Sequence, residues 1–302
     1  MQNLLSLAHQ ATQHLTDKAL SQLFQQPIFI LSAPRSGSTL LFEQLIQQDH
    51  MWSIGNESHV VFSQFPHLRF ANGEQDSSSL NATHADARTN RLIKACFLFM
   101  LQNKQNQRYI DPKLTGLPKA PIFIEKTPRN ALNIPFILKI FPDARFIYLQ
   151  RDPRQTIASL IEAWHLGIKT GRFATYPNLP GWHLPAWCFL LPAGWRQMIG
   201  KSIAEIACFQ WQQSNQTIEY ELAKLDPNRT HRLDYYDLIN NSHTTLCKVI
   251  KFINPNHDIS TLSFKLTPSN TTLTRPDPEK WRKYEDEIMA LKSIWGKKSR
   301  ET

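Results

Sequence analysis

Short apolar runs rich in isoleucine, phenylalanine and tyrosine alternate with helical segments along this 302-residue chain. The apolar runs predict four strands, at residues 27–32, 121–126, 144–150 and 231–236. Helices are predicted at residues 4–23, 38–48, 90–103, 128–141, 201–224 and 242–253, with another that starts near residue 155. A strand that returns through a helix pairs in parallel with its neighbour. The sequence therefore predicts an α/β fold, with a central parallel sheet flanked by helices.

Three basic residues, Arg35, Lys126 and Arg151, lie at or just after the carboxyl ends of predicted strands. The carboxyl ends of parallel strands share one edge of the sheet, and such folds bind their ligands there. The three cations are therefore expected to converge on an anion. The formal net charge of +9 agrees with an anionic partner. The longest basic run is the short GKKSR near the C-terminus, so the charge does not indicate nucleic-acid binding.

The stretch PIFILSAPRSGSTLL, residues 27–41, predicts a strand, a tight turn around Gly37 and the start of a helix. The first amides of a helix have no internal partners and carry partial positive charge, so this turn predicts an anion-binding loop. Gly37 allows unusual dihedrals and the close approach of a phosphate. The lysine of the nucleoside-triphosphate P-loop is absent. The alternative is an unliganded turn in which Ser38 caps the helix.

A second stretch, RFIYLQRDPRQTIASL, places Arg151 at a strand end and Ser159 in the following helix. Together with PRSGSTLL it resembles the PAPS-dependent sulfotransferase family. That resemblance implies transfer of a sulfuryl group from 3′-phosphoadenosine-5′-phosphosulfate (PAPS) to a hydroxyl or amine acceptor, leaving 3′,5′-ADP. It implies that Arg151 and Ser159 bind the 3′-phosphate, and that the 5′-phosphosulfate is bound by Arg35, Ser36, Gly37, Ser38 and Thr39. It also implies a single domain, residues 1–302, with the P-loop-like sulfotransferase fold.

Two shorter stretches extend the resemblance. IEKTPRN, residues 124–130, looks like the segment whose lysine assists transfer in tyrosylprotein-type and related bacterial sulfotransferases, which gives that role to Lys126. HRLDYYDLI, residues 231–239, resembles the strand end whose tyrosine lies near the adenine, which gives that place to Tyr235. Tyr236 then stands where the family has an acidic residue.

The catalytic base is expected to be Glu57, because WSIGNESHVVF resembles the turn that carries the base in those enzymes. A positioned carboxylate removes the proton of the acceptor hydroxyl. The alternative role for Glu57 is to cap a helix that starts near Ser58, where an acidic residue is favourable in any case. His59 and Glu125 are the next candidates for the base.

The sequence says less about which residues bind the acceptor. Residues 166–200, rich in proline, glycine and tryptophan, are interpreted either as a lid and acceptor pocket or as a packed helical subdomain or dimer contact. The four tryptophans of this region and its border are Trp164, Trp182, Trp187 and Trp195. Arg275, in a late basic stretch, is interpreted as a surface residue rather than a ligand of the 3′-phosphate. The acceptor class stays open, among carbohydrates, lipids, peptide tyrosines and secondary metabolites.

No metal is expected at this site, because a sulfuryl group carries less charge than a phosphoryl group and the acidic cluster that holds Mg²⁺ in kinases is not evident. The four cysteines are widely separated and predict neither a zinc site nor disulfides. The N-terminal residues do not resemble an export signal, and no stretch is long enough to span a membrane, so a cytoplasmic protein is expected. Two competing hypotheses remain: a nucleotide-dependent phosphotransferase, and a nucleotide-binding relative without activity.

Overall fold

The computed structural model describes residues 3–70, 76–260 and 277–296, together with residues 262, 264, 266, 267, 269 and 272–274. Its described strands are β1 (Ile28–Leu31), β2 (Met51–Trp52), β3 (Ile122–Lys126), β4 (Arg145–Gln150), β5 (Ala174–Pro177), β6 (Ala186–Cys188) and β7 (Thr230–Asp234). Five of them form one sheet in the order β2-β3-β1-β4-β7, and every neighbouring pair is parallel. The predicted fold class is confirmed, and all four predicted strands form.

The described helices are α1 (Leu4–Thr12), α2 (Asp17–Gln22), α3 (Ser38–Ile46), α4 (His59–Phe62), α5 (Ala87–Met100), α6 (Ile134–Ile140), α7 (Pro153–Thr170), α8 (Ile203–Leu222), α9 (Tyr235–Asn240), α10 (Ser242–Ile253), α11 (Glu285–Ala290) and α12 (Lys292–Trp295). Short 3₁₀ turns occupy Pro66–Leu68, Ala82–His84, Pro128–Leu132, Trp195–Met198, Pro227–Arg229 and Lys280–Tyr284. None of the helices in the described part of the chain is both long and apolar enough to cross a membrane.

The sheet is buried on both faces, which explains the near-continuous apolar strands in the sequence. Along β1, Phe29 and Leu31 face a core that includes residues of α1, α2, α5 and α6. Ile28 and Ile30 point the other way, into a core shared with α3 and α10. Successive side chains of a strand alternate between faces, so four consecutive buried residues require a helical layer on each side.

Two predicted helices are broken in the structure. The predicted helix at residues 4–23 is two helices, because Thr16 accepts a hydrogen bond from the Ala19 amide and starts α2 afresh. The predicted helix at residues 128–141 is a 3₁₀ turn followed by α6, and Pro135 lies in the first turn of α6. A proline there costs no hydrogen bond, so it starts a helix rather than kinking one.

The region between α7 and α8 contains an antiparallel hairpin of β5 and β6 that the sequence did not predict. Its four tryptophans, Trp164, Trp182, Trp187 and Trp195, are all buried in one cluster. The Trp164 Nε1 donates to Gln210 Oε1 at 2.8 Å, which ties the cluster to α8. The tryptophans are therefore packed in a core, as the subdomain interpretation requires, but the segment forms a hairpin and not the helices which that interpretation expected. The connection between the 3₁₀ turn at Pro66–Leu68 and α5 contains a second 3₁₀ turn, Ala82–His84, and ends at Asp86, the N-cap of α5; residues 71–75 lie outside the described residues.

Candidate active site

The carboxyl ends of the five parallel strands border a cavity of about 1220 Å³. In sheet order, the residues that follow or end these strands are Glu57 after β2, Lys126 on β3, Arg35 after β1, Arg151 after β4 and Tyr235 after β7. Neighbouring strands lie about 4.8 Å apart, so this row of side chains spans about 20 Å. The sheet order therefore arranges the predicted base, lysine, phosphosulfate loop and 3′-phosphate residues in a line.

The turn between β1 and α3 leaves the start of a helix open. Gly37 is the N-cap of α3, with a φ of +98° and no side-chain cap, so the interpretation of Ser38 as a helix cap is wrong. No described residue accepts a hydrogen bond from the amides of Gly37, Ser38 or Thr39. A Cβ atom at Gly37 would overlap the ring of Tyr235. The turn thus requires glycine for two reasons, and it presents unpaired amides to the cavity.

The members of the predicted phosphosulfate loop do not all face the cavity. Arg35, Gly37, Ser38 and Thr39 line it. Ser36 is buried and is not part of the lining, and its amide donates to the Ala33 carbonyl at 3.3 Å. Ser36 therefore holds the shape of the turn, whereas its four neighbours are accessible to a ligand.

Arg35 joins the two predicted halves of the donor site. Its Nε lies 3.4 Å from Ser159 Oγ, and its guanidinium lies 5.4 Å from the centre of the Phe173 ring. Burial, followed by the nearby charges of Arg151 and Arg172, lowers the pKa of Arg35 to about 10, although Glu162 acts in the opposite direction. A buried guanidinium among like charges is stabilised by an anion, so this part of the cavity favours anionic ligands.

Arg151 is held from three sides. Its Nη1 donates to the Arg35 carbonyl at 3.2 Å, and its Nε donates to Gln155 Oε1 at 3.2 Å. Its guanidinium lies 4.3 Å from the centre of the Tyr235 ring. Burial lowers the pKa of Arg151. The structure therefore brings together all four residues predicted at this end, namely Arg35, Arg151, Ser159 and Tyr235.

Glu57 lies at the opposite end of the row. Its Oε1 accepts a hydrogen bond from Lys126 Nζ at 2.6 Å, and its Oε2 lies 3.3 Å from His59 Nδ1. Burial by itself would raise the pKa of Glu57, but His59 and Lys126 outweigh it and lower this pKa to about 2. The helix α4 has no side-chain cap, so Glu57 does not serve as one.

Lys126 is 7% exposed and is not itself part of the cavity lining, but its ammonium group contacts Glu57, which is. Glu125, on the other face of β3, is fully buried and is not part of the cavity lining. It accepts hydrogen bonds from the Ser58 amide at 3.0 Å, from Asn130 Nδ2 at 2.8 Å and from Thr127 Oγ1, and burial raises its pKa. The suggestion of Glu125 as an alternative base is therefore wrong, because it has no access to an acceptor.

Part of the remaining wall comes from residues 166–200, for which a lid and acceptor pocket was one of the two interpretations. The hairpin contributes residues 173–175, 189 and 190, and the residues after β3 contribute Pro128 and Arg129. The four tryptophans do not line the cavity, so their interpretation as pocket walls is wrong although their neighbours are pocket walls. The sequence carries no local signal for these positions, because only the pairing of β5 with β6 turns them inwards.

A C-terminal segment closes the other side of the cavity. Lys280 Nζ lies 2.5 Å from Glu162 Oε2 of α7, and the Arg154 guanidinium lies 4.8 Å from the centre of the Trp281 ring. Arg275, which was predicted at the surface, lies outside the described residues. Within the described part of the chain, no group of three or more histidine, cysteine, aspartate or glutamate side chains is suited to hold a metal ion.

A scan against protein-family models matches residues 27–258 to the sulfotransferase family. No curated protein matches the chain. Among solved structures, the chain is similar to the sulfotransferase domain from the curacin biosynthetic pathway, with 22% identity over 76% of this chain and 74% of that one and a TM-score of 0.41. It is also similar to sulfotransferase STF9 from Mycobacterium avium, with 14% identity over 97% and 81% of the two chains and a TM-score of 0.49. The sulfotransferase domain of the Synechococcus PCC 7002 olefin synthase gives 17% identity over 91% and 96%, with a TM-score of 0.44.

Proposed function

Because the chain belongs to the sulfotransferase family, we propose that it transfers a sulfuryl group from PAPS to a hydroxyl or amine acceptor and releases 3′,5′-ADP. The observation that carries the proposal is the order of groups along the sheet edge. A lysine–glutamate pair stands on one side of an uncapped helix start, and a buried pair of arginines stands on the other. This order matches a donor with a transferable group at one end and a second phosphate at the other.

The donor binds along this row. The free amides at the start of α3 and the hydroxyls of Ser38 and Thr39 hold the 5′-phosphosulfate, as a helix N-terminus holds an anion. Arg151 and Ser159 bind the 3′-phosphate, and Arg35 lies between the two anionic groups. The ring of Tyr235 packs on the Arg151 guanidinium and forms the wall against which the adenine lies.

Transfer begins when the acceptor oxygen attacks sulfur in line with the bridging oxygen of PAPS. A new oxygen–sulfur bond forms, the bond between sulfur and the bridging oxygen breaks, and the electron pair stays on the 5′-phosphate. Glu57 accepts the proton of the acceptor hydroxyl. Lys126 neutralises the charge that develops on the departing oxygen. Each step uses a group at the end of the row that holds the sulfuryl group.

The Glu57–Lys126 pair links the two halves of this reaction. With Lys126 bonded to it, Glu57 is a weak base, because its pKa is about 2. As the departing oxygen gains charge, it attracts the Lys126 ammonium away from Glu57. The pKa of Glu57 then rises, and the carboxylate accepts the proton when the bond to sulfur breaks.

The proposal is tested by binding and by transfer. Calorimetry should show binding of 3′,5′-ADP, and a screen of acceptors with ³⁵S-labelled PAPS should show sulfate transfer that survives EDTA. The competing hypothesis of a phosphotransferase predicts transfer from ATP with a strict Mg²⁺ requirement. The hypothesis of a nucleotide-binding relative without activity predicts binding of 3′,5′-ADP with no transfer. Either outcome, or the absence of 3′,5′-ADP binding, would refute the proposed function.

A further inference from the structure

Arg129 stands on the acceptor side of the cavity. It follows β3, which lies between β2 and β1, and it lines the cavity together with Glu57, His59 and Pro128. The neighbouring Asn130 donates to Ser58 Oγ at 3.0 Å, so the turn that carries Arg129 is packed against the segment that carries Glu57. In the sheet order Arg129 therefore lies next to the proposed base, between it and Arg35, and two strands away from Arg151.

The positive charge of Arg129 is not balanced by the protein. Its hydrogen bond to a described residue goes from Nη2 to the neutral Thr175 Oγ1, at 3.3 Å, and no described carboxylate lies within ion-pair distance of it. Other cations of the cavity wall have such partners: Arg154 pairs with Asp152, and Lys280 pairs with Glu162. Arg35 and Arg151 are assigned to the phosphates of the donor. Arg129 is thus a half-buried guanidinium with neither a carboxylate nor a donor phosphate to balance it.

The wall beside Arg129 is apolar and held in a strained conformation. Phe173 and Phe189 stack with ring centres 5.2 Å apart, and the Phe189 amide donates to the Phe173 carbonyl at 3.1 Å. Their φ angles are +70° and +63°, in a region that bulky side chains rarely adopt. Such conformations persist only where the surrounding packing imposes them, and they are common at ligand-binding sites. The hairpin thereby places Phe173, Phe189 and Leu190 in the cavity wall.

We infer that the acceptor is an apolar hydroxy compound that carries an oxyanion, such as a carboxylate, and that Arg129 binds this oxyanion. The inference rests on the proposed function, since it concerns the acceptor of the same site. The planar guanidinium matches the two oxygens of a carboxylate, and the phenylalanines with Leu190 accommodate the apolar body. Binding of the anion at Arg129 brings the acceptor hydroxyl within reach of Glu57.

The test uses two matched pairs of acceptors in which a carboxylate is replaced by a carboxamide. They are 4-hydroxyphenylacetate with 4-hydroxyphenylacetamide, and 12-hydroxydodecanoate with its amide. Their affinity for the enzyme saturated with 3′,5′-ADP is measured by calorimetry, which requires no turnover. In at least one pair, the carboxylate should bind about tenfold more tightly than the amide, the usual worth of a charge-assisted hydrogen bond. Arg129→Gln should abolish this preference, and Arg129→Lys should retain part of it.

Arg172→Gln is the matched control. Arg172 is exposed, its guanidinium lies 5.0 Å from the centre of the Phe173 ring, and it is not part of the cavity lining. This variant loses the same charge from the same neighbourhood and should keep the preference for the carboxylate. Each variant should bind 3′,5′-ADP within about twofold of the parent, which shows that it is folded. The Arg129→Lys comparison remains available when Arg129→Gln fails this criterion.

The outcomes separate the inference from the proposed function. Absence of 3′,5′-ADP binding to the parent enzyme refutes the proposed function. Normal 3′,5′-ADP binding with no preference for either carboxylate, or with no binding of either acceptor pair, overturns the inference alone. So does a preference that Arg129→Gln leaves intact, or one that Arg172→Gln abolishes equally.

Discussion

Replacing Glu57 by glutamine separates the role of its charge from that of its shape. The glutamine side chain keeps the size of Glu57 and can still accept a hydrogen bond from Lys126, but it cannot take a proton from the acceptor. If Glu57 is the base, turnover with an alcohol acceptor should fall by a factor of about 10² or more, the usual contribution of a positioned base. The affinity for 3′,5′-ADP should stay within a few-fold, because Glu57 lies at the other end of the row from Arg151.

The same substitution has a cost in stability that follows from the ion pair. Lys126 is 7% exposed and donates to Glu57 at 2.6 Å, and glutamine leaves its buried charge unbalanced. Glutamine can keep a hydrogen bond to the Lys126 ammonium but loses the attraction between opposite charges, and because Glu57 is 33% exposed this attraction is expected to contribute about 1 kcal/mol. For a chain of this size that corresponds to a fall in the melting temperature of about 2–4 °C.

The difference in stability between the parent protein and Glu57→Gln should shrink at low pH. The folded protein lowers the pKa of Glu57 from its ordinary 4.5 to about 2, so the carboxylate stabilises the fold above pH 4.5. This contribution disappears as the pH falls from 4.5 towards 2. The gap in melting temperature between the parent and Glu57→Gln should therefore be present at pH 5 and should close as the pH falls below 4.5.

Glu162→Gln provides the control for these measurements. Glu162 also lines the cavity and also pairs with a lysine, Lys280 at 2.5 Å, but it has no role in proton transfer. A similar fall in melting temperature with a much smaller loss of turnover is expected.

Near-normal turnover of Glu57→Gln would refute the assignment of Glu57 as the base. A loss of turnover by a factor of about 10² in His59→Gln, with Glu57→Gln near normal, would instead identify His59. An alcohol acceptor is required, because a phenol close to ionisation hardly needs a base.

Two further predictions concern the donor. Arg151→Ala should lower the affinity for 3′,5′-ADP about tenfold or more and the affinity for 5′-AMP much less, because only 3′,5′-ADP carries a 3′-phosphate. Equal losses of affinity for the two nucleotides in calorimetry would show that Arg151 does not bind that phosphate. Gly37→Ala should lower the affinity for both nucleotides and lower the melting temperature. The φ of +98° at position 37 is unfavourable for alanine, and the new Cβ would overlap the Tyr235 ring. Retention of both affinities would show that the turn tolerates the side chain and that its amides do not hold the phosphosulfate.

Much of the fold could be predicted because its signals are local. Three of the predicted strands, β1, β3 and β4, are nearly continuous apolar runs, since both faces of the sheet are covered there, whereas the edge strand β7 has a single buried residue, Leu233. Strand β2 was missed because it has only two residues, Met51 and Trp52, which are too few to show a pattern. The β5–β6 hairpin was missed because β5 is only half-buried and shows no alternation.

In the candidate site, too, residues of short local motifs could be predicted, whereas contacts between distant residues could not. The turn around Gly37 and the segment from Arg151 to Ser159 are short stretches of sequence, and their residues could be named in advance. The pairing of Glu57 with Lys126 joins residues 69 positions apart, so neither the ion pair nor the lowered pKa could be predicted from spacing. The place of Arg129 in the cavity wall depends on the packing of its turn against Ser58 and Thr175, which no local pattern encodes.

The hydrogen bond from Arg151 to the Arg35 carbonyl bears on which step of the cycle is slow. It links two half-buried arginines, both proposed to bind the donor phosphates, into one unit. In the proposed reaction the donor PAPS and the product 3′,5′-ADP carry the same two phosphates, so the product would keep nearly every contact that held the donor. We therefore expect departure of the nucleotide, rather than transfer of sulfur, to limit turnover. Rapid mixing should then show a burst of sulfated product of about one equivalent per site, and a linear time course from the start would show that transfer itself is slow.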